Sequence, residues 1–206
     1  MSDMKPERLA GDASPASALA LATSTMGVFC ALTGIIGTDG LPLLALWLLG
    51  GFSVHLYAGI AALRRGNTLD AAIFVYYGNY LELVGGAGFL LKWLSVQNGW
   101  GIDFLLDGFM WIPLSVGLWF WSYAIFRECP GVLGVGILFA DIAFPLVSLT
   151  NLGLLGAPFA TAAGVCLLGT SVCFMYMGGA GLLASVYQRP ILPLGRPLIR
   201  SGKVAA

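Results

Sequence analysis

The chain has 206 residues, of which 58% are apolar and 10% charged, with a formal net charge of zero and a mean hydropathy of +0.88. A soluble domain carries about 25% charged residues, so this sequence cannot cover its own surface in water and reads as an all-α integral membrane protein. No basic face is present for nucleic acid. The four cysteines, Cys30, Cys129, Cys166 and Cys173, have neither zinc-knuckle nor CxxC spacing and read as packing thiols.

Residues 1–13 mix Asp3, Lys5, Glu7, Arg8 and Asp12 without an apolar run, which predicts a short disordered tail. Ser14 as a cap followed by Pro15 signals a helix start. Six apolar segments follow: residues 16–36, 41–63, 69–91, 104–126, 131–149 and 157–187. Each is long enough to cross a hydrocarbon core of about 30 Å. The connections are short and rich in Gly, Pro, Asn or Asp. A barrel would alternate with period two, and this chain does not. The expected organisation is a six-helix transmembrane domain over residues 14–188 and a cytoplasmic tail over residues 189–206.

Basic residues set the orientation. Lys5, Arg8, Arg64, Arg65, Arg127, Arg189, Arg196, Arg200 and Lys203 fall on one side of a six-span arrangement, and Lys92 falls on the other. Both termini are therefore expected in the cytoplasm of a multi-pass cell-membrane protein, an inner-membrane protein if bacterial. Glycines recur along the segments, as expected where helices pack closely in lipid.

A polar or ionisable residue inside a bilayer costs a few kcal/mol and usually meets a partner or a water path. At about 1.5 Å per residue, Thr23, His55, Tyr77 and Asp141 lie about 12–15 Å deep, and Glu82 about 20 Å. They form one polar slab at the waist of the bundle. On the third segment, helical spacing groups Phe74, Tyr77, Leu81 and Val84 on one face and Asn79, Glu82 and Gly86 on another. His55 is the single histidine, so neither a metal site nor a cofactor is expected, and no nucleophile constellation points to an enzyme.

The turn Arg64-Arg65-Gly66-Asn67-Thr68, preceded by Tyr57-Ala58-Gly59 and followed by Tyr77-Gly78, resembles the corresponding turn of the acetate uptake transporter family, the succinate–acetate permeases. Gln188-Arg189-Pro190-Ile191-Leu192-Pro193-Leu194-Gly195 is similar to that family's closing motif. Pro15 and Ala16 match its opening signature, while the residues after them differ. The resemblance implies six helices per protomer, a pathway through each protomer and a hexameric ring. It also implies a narrow point built from Tyr77, with Thr23 in the family's Phe position and Phe139 or Ala140 near its Leu position.

The expected function is a membrane transporter or channel for small monocarboxylates such as acetate, with succinate as a further candidate and a proton link through His55, Glu82, Asp141 or Asn79. The expected partners are the solute, lipid and other copies of the chain. Two alternatives stay open: a channel for urea, an amide, ammonium or another cation, and a membrane scaffold that transports nothing.

Overall fold

The computed structural model describes residues 12–199, and all its regular elements are helical: α1 (Ser14–Leu32), α2 (Leu41–Arg64), α3 (Thr68–Tyr77), α4 (Gly85–Asn98), α5 (Leu105–Glu128), α6 (Gly131–Asn151) and α7 (Ala157–Tyr187). A π-helical stretch, Gly78–Val84, joins α3 to α4 without a break. Among the described residues, five helices are long and apolar enough to cross a membrane: α1, α2, α5, α6 and α7. The sequence expects a sixth span at residues 69–91; there the chain is continuous helix over residues 68–98, divided by the π turns. Lys92 therefore lies within α4, and the connection that follows is shorter than expected.

Each boundary has a local cause. Ser14 does not cap α1, as expected from sequence, but is already helical; its N–H and hydroxyl both donate to Asp12 Oδ1. Gly66, with φ of 73°, ends α2 in the left-handed conformation that glycine takes without penalty. The Asn67 N–H then reaches back to the Ala62 carbonyl. Asn67 caps α3 by accepting from the Asp70 N–H at 3.1 Å, and its amide donates to the Asp70 carboxylate at 2.7 Å.

The helices form a ring. α7 packs on α1 and α6, α6 on α5, α1 on α2, and α2 on the rod α3–π–α4. Gly178 and Gly181 of α7 leave room for Leu19 and Pro15 of α1, so these backbones approach closely. Ser171 donates to the Ala22 carbonyl at 2.7 Å, and Ser148 to the Gly108 carbonyl at 2.7 Å, tying α7 to α1 and α6 to α5. Between α3 and α5 the ring is closed by side chains: the Tyr77 hydroxyl donates to the Leu114 carbonyl at 3.0 Å, and the rings of Tyr76 and Tyr77 meet Trp121 edge-on. Pro145 lacks the N–H that would satisfy the Asp141 carbonyl one turn back. The Trp119 indole N–H donates to that carbonyl instead, at 3.2 Å.

Arg64, Arg65, Arg127, Arg189 and Arg196 lie at one end of this ring, called here the basic end. Residues 1–11 of the expected tail lie outside the described residues. Of the expected C-terminal tail, residues 189–199 are among the described residues. They lie against the α5–α6 corner, with the Val132 N–H donating to the Leu194 carbonyl and the Ile199 N–H to the Phe126 carbonyl.

Candidate functional site

A cavity of about 350 Å³ runs down the middle of the ring from the basic end. Its wall is made by faces of α1, α3, α5, α6 and α7 together with His55 of α2, as on α1, where Ser14, Ser17, Ala18, Leu21 and Thr25 recur at three- and four-residue steps. The mouth holds Asp12, Asp70 and Cys129; the inner end is bounded by Tyr77, Leu81, Leu118 and Phe144. From Pro130 to Phe144 along α6 the wall is about 20 Å deep. The Tyr77 ring sits 5.4 Å from Trp121 and 5.8 Å from Phe144, and Phe144 meets Trp111 at 5.1 Å. These contacts make an aromatic collar at the inner end.

Beside the collar is a buried polar cluster. His55 lines the cavity, and its Nδ1 lies 2.7 Å from Glu82 Oε2; the side chains are 3% and 0% exposed. The Ser24 hydroxyl donates to the other carboxylate oxygen at 2.6 Å. Glu82 and Ser24 stand behind the wall, so His55 alone joins the cluster to the cavity. Close packing fixes all three. A methyl on Gly51 would come within 2.5 Å of Glu82 Oε1 and 2.9 Å of Ser24 Oγ, and one on Gly78 within 2.7 Å of His55 Cβ.

The π turns explain why Glu82 points inward. α-Helical spacing puts Tyr77 and Glu82 more than a quarter-turn apart. A π turn bonds residues five apart, which brings them toward one side, and Tyr77, Gly78, Leu81 and Glu82 are all buried. Asn79, grouped with Glu82 by the sequence, is turned away and donates to the Val75 carbonyl at 2.7 Å.

Of the residues expected at the narrow point, Tyr77 and Ala140 line the cavity, and Thr23 and Phe139 do not. Thr23 is exposed and bonds back to the Leu19 carbonyl. Thr25, two residues on and more than half a turn round the helix, takes the wall position. Phe139 is 37% exposed and packs on Gly169. Asp141 also stands outside the wall, half-buried between α5 and α6, accepting from the Ser122 hydroxyl at 2.9 Å. The motif residues are architectural in position: Pro15 against Gly181, Gly66, Asn67 and Thr68 at the α2–α3 corner, Gly78 under His55, and Ala16 on the outer side of α1. Sequence reasoning passed over Ser24; its signal was the hydroxyl run Thr23-Ser24-Thr25 within the apolar segment.

Electrostatics at the mouth follow from one pair. Arg65 lies 2.9 Å from Asp12. Burial raises the Asp12 carboxyl, but bonds from Ser14 and the Arg65 charge outweigh it and hold its pKa below the ordinary value of 3.8. At Cys129, burial first and then the charges of Asp70 and Glu128 push the thiol up, which keeps it protonated and unreactive. Among the described residues, no cluster of His, Cys, Asp and Glu could hold a metal ion.

No protein-family model and no curated protein matches the sequence. Solved structures do. The structure of the bacterial acetate channel SatP superposes with a TM-score of 0.79 at 19% identity, over 90% of this chain and 99% of that one. The chain has the fold of that acetate channel. This is the fold that the turn at Arg64–Thr68 implied, now reached from the course of the backbone alone.

Proposed function

We propose that this protein is a membrane channel or transporter for small monocarboxylates such as acetate, with six spans, both termini in the cytoplasm and a separate pathway in each protomer of a hexameric ring. The observation that carries the reading is the central cavity, which opens at the basic end and closes at the Tyr77 collar, in a chain with the fold of an acetate channel. Solute enters from the cytoplasmic end and meets its narrowest point at Tyr77, with Ala140, Leu81, Leu118 and Phe144 around it. Among the described residues, neither Lys nor Arg lines the wall, so the wall favours the neutral acid over the carboxylate anion. His55 handles the proton: it faces the cavity while Glu82, itself held by the Ser24 hydroxyl, stands behind it.

Uptake of labelled acetate into proteoliposomes tests this. Full-length protein should give uptake that an acetate excess competes away; lack of uptake above protein-free vesicles in either direction would refute it. A second reading, a channel for a neutral or cationic solute such as urea or ammonium, is favoured by the two carboxylates at the mouth, Asp12 and Asp70. Competition of acetate against urea and ammonium in the same vesicles separates the two readings.

A further inference from the structure

A second recess, about 420 Å³ in volume, lies on the outside of the bundle between the start of α1 and the end of α2. Its floor is Ala16, Val54 and Ala61, its sides are Tyr57 and Ile60, and Arg64 stands at its basic end. Tyr57 is 71% exposed and Ile60 42% exposed. We propose that this groove seats an anionic phospholipid of the leaflet on the basic side, with its phosphate on Arg64 and an acyl chain along Ile60, Tyr57 and Val54.

Three observations point to that occupant. From Val54 to Arg64 the groove spans about 15 Å along α2, half of a hydrocarbon core of about 30 Å and so the depth of one leaflet. Polarity changes along it in the same sense as in a lipid: aliphatic at the deep end, a phenol partway along, a guanidinium at the membrane surface. Charge is complementary at that surface. Arg64 has no carboxylate within ion-pair distance among the described residues, whereas the one acid in the lining, Asp12, is paired with Arg65 at 2.9 Å. Basic recesses between transmembrane helices on the cytoplasmic side suit anionic headgroups, and a guanidinium can hold two phosphate oxygens at once. The groove shares only Asp12 with the lining of the solute cavity, so the inference does not rest on the identity of the solute.

The test uses the full chain, delipidated in neutral detergent, titrated with phosphatidylglycerol, phosphatidylcholine or inorganic phosphate. Lipid adducts are read by native mass spectrometry and thermal stability alongside. The expected result is preferential retention of phosphatidylglycerol. Arg64→Ala should weaken it about five-fold, the worth of one basic residue near an anionic surface, while Arg64→Lys keeps most of it. Ala61→Phe, which fills the trough, should displace both lipids. Equal retention of the two lipids by the unmodified chain, unchanged binding in Arg64→Ala and Ala61→Phe, or the same loss in Arg189→Ala would overturn the proposal. So would equal stabilisation by inorganic phosphate, which would make Arg64 a site for the free ion.

Discussion

His55 and Glu82 face each other across 2.7 Å inside the bundle, with their side chains 3% and 0% exposed. The pair is held by this close approach and not by a well-angled hydrogen bond, and the His55 Nδ1 also lies 3.2 Å from the Gly51 carbonyl oxygen; removing one partner leaves the second buried and unpaired. Glu82→Ala should therefore cost about 3–5 kcal/mol, and the double change with His55→Ala should cost less than the sum of the two single changes. A double-mutant cycle on unfolding in detergent measures this; strict additivity would mean that the pair is not coupled.

The pocket that holds the pair is shaped by a missing methyl. Gly51→Ala should force Glu82 and Ser24 apart and destabilise by about 1–3 kcal/mol, the usual penalty of overpacking. Ser24→Ala removes one hydrogen bond to a carboxylate, worth about 1.5–3 kcal/mol. In a Ser24→Ala background the penalty of Gly51→Ala should shrink, since one of the two clashing atoms is gone. Thermal unfolding of the four proteins checks it.

At the mouth, the sign of the pH effect is fixed by Asp12. Its pKa is lowered in the folded protein, so its contribution to stability is present above 3.8 and is lost as pH falls through the lower folded value. Asp12 is 57% exposed at the side chain, and the pair with Arg65 is worth less than about 1 kcal/mol. Asp12→Asn should lower the unfolding midpoint slightly at pH 7 and leave any pH dependence of transport between pH 5 and 8 unchanged. A large change in that profile would place its origin at the mouth of the cavity.

The folded C-terminal segment makes a separate prediction. The Arg196 carbonyl packs where a side chain on Gly131 would have to go, and Leu198 packs on Gly134. Gly131→Val should unseat residues 194–199 and increase chymotrypsin cleavage after Leu198 several-fold, while the helices, whose contacts lie elsewhere, stay intact by circular dichroism. Unchanged cleavage would show that the segment is held by other contacts.

These cases also mark what could be read from residues alone. Span positions follow from the hydropathy of segments such as residues 131–149, because lipid forces every backbone group into a helix. The α2–α3 corner was legible because Gly66 and Asn67 are each suited to one position in it. Rotational phase was harder. Thr23 and Thr25 are chemically alike and lie at nearly the same depth, and only the packing of α1 against α7 decides which one faces the cavity. The π turns at residues 78–84 defeated the α-helical grouping of Glu82 with Asn79, since one widened turn moves every later side chain round the axis. Ser24 was passed over for the same reason: its role depends on where Glu82 points.

The most direct test of the account is initial-rate uptake of labelled acetate into proteoliposomes by the unmodified protein, Tyr77→Phe and Tyr77→Ala, with folding verified for each. Tyr77→Phe keeps the ring that packs on Trp121 and Phe144 but loses the hydrogen bond to the Leu114 carbonyl; it should keep the preference for acetate over larger acids. Tyr77→Ala opens the collar and should change the acetate rate several-fold while admitting larger monocarboxylates. Uptake and selectivity unchanged in Tyr77→Ala would contradict the assignment of the inner end of the cavity as the narrowest point of the pathway.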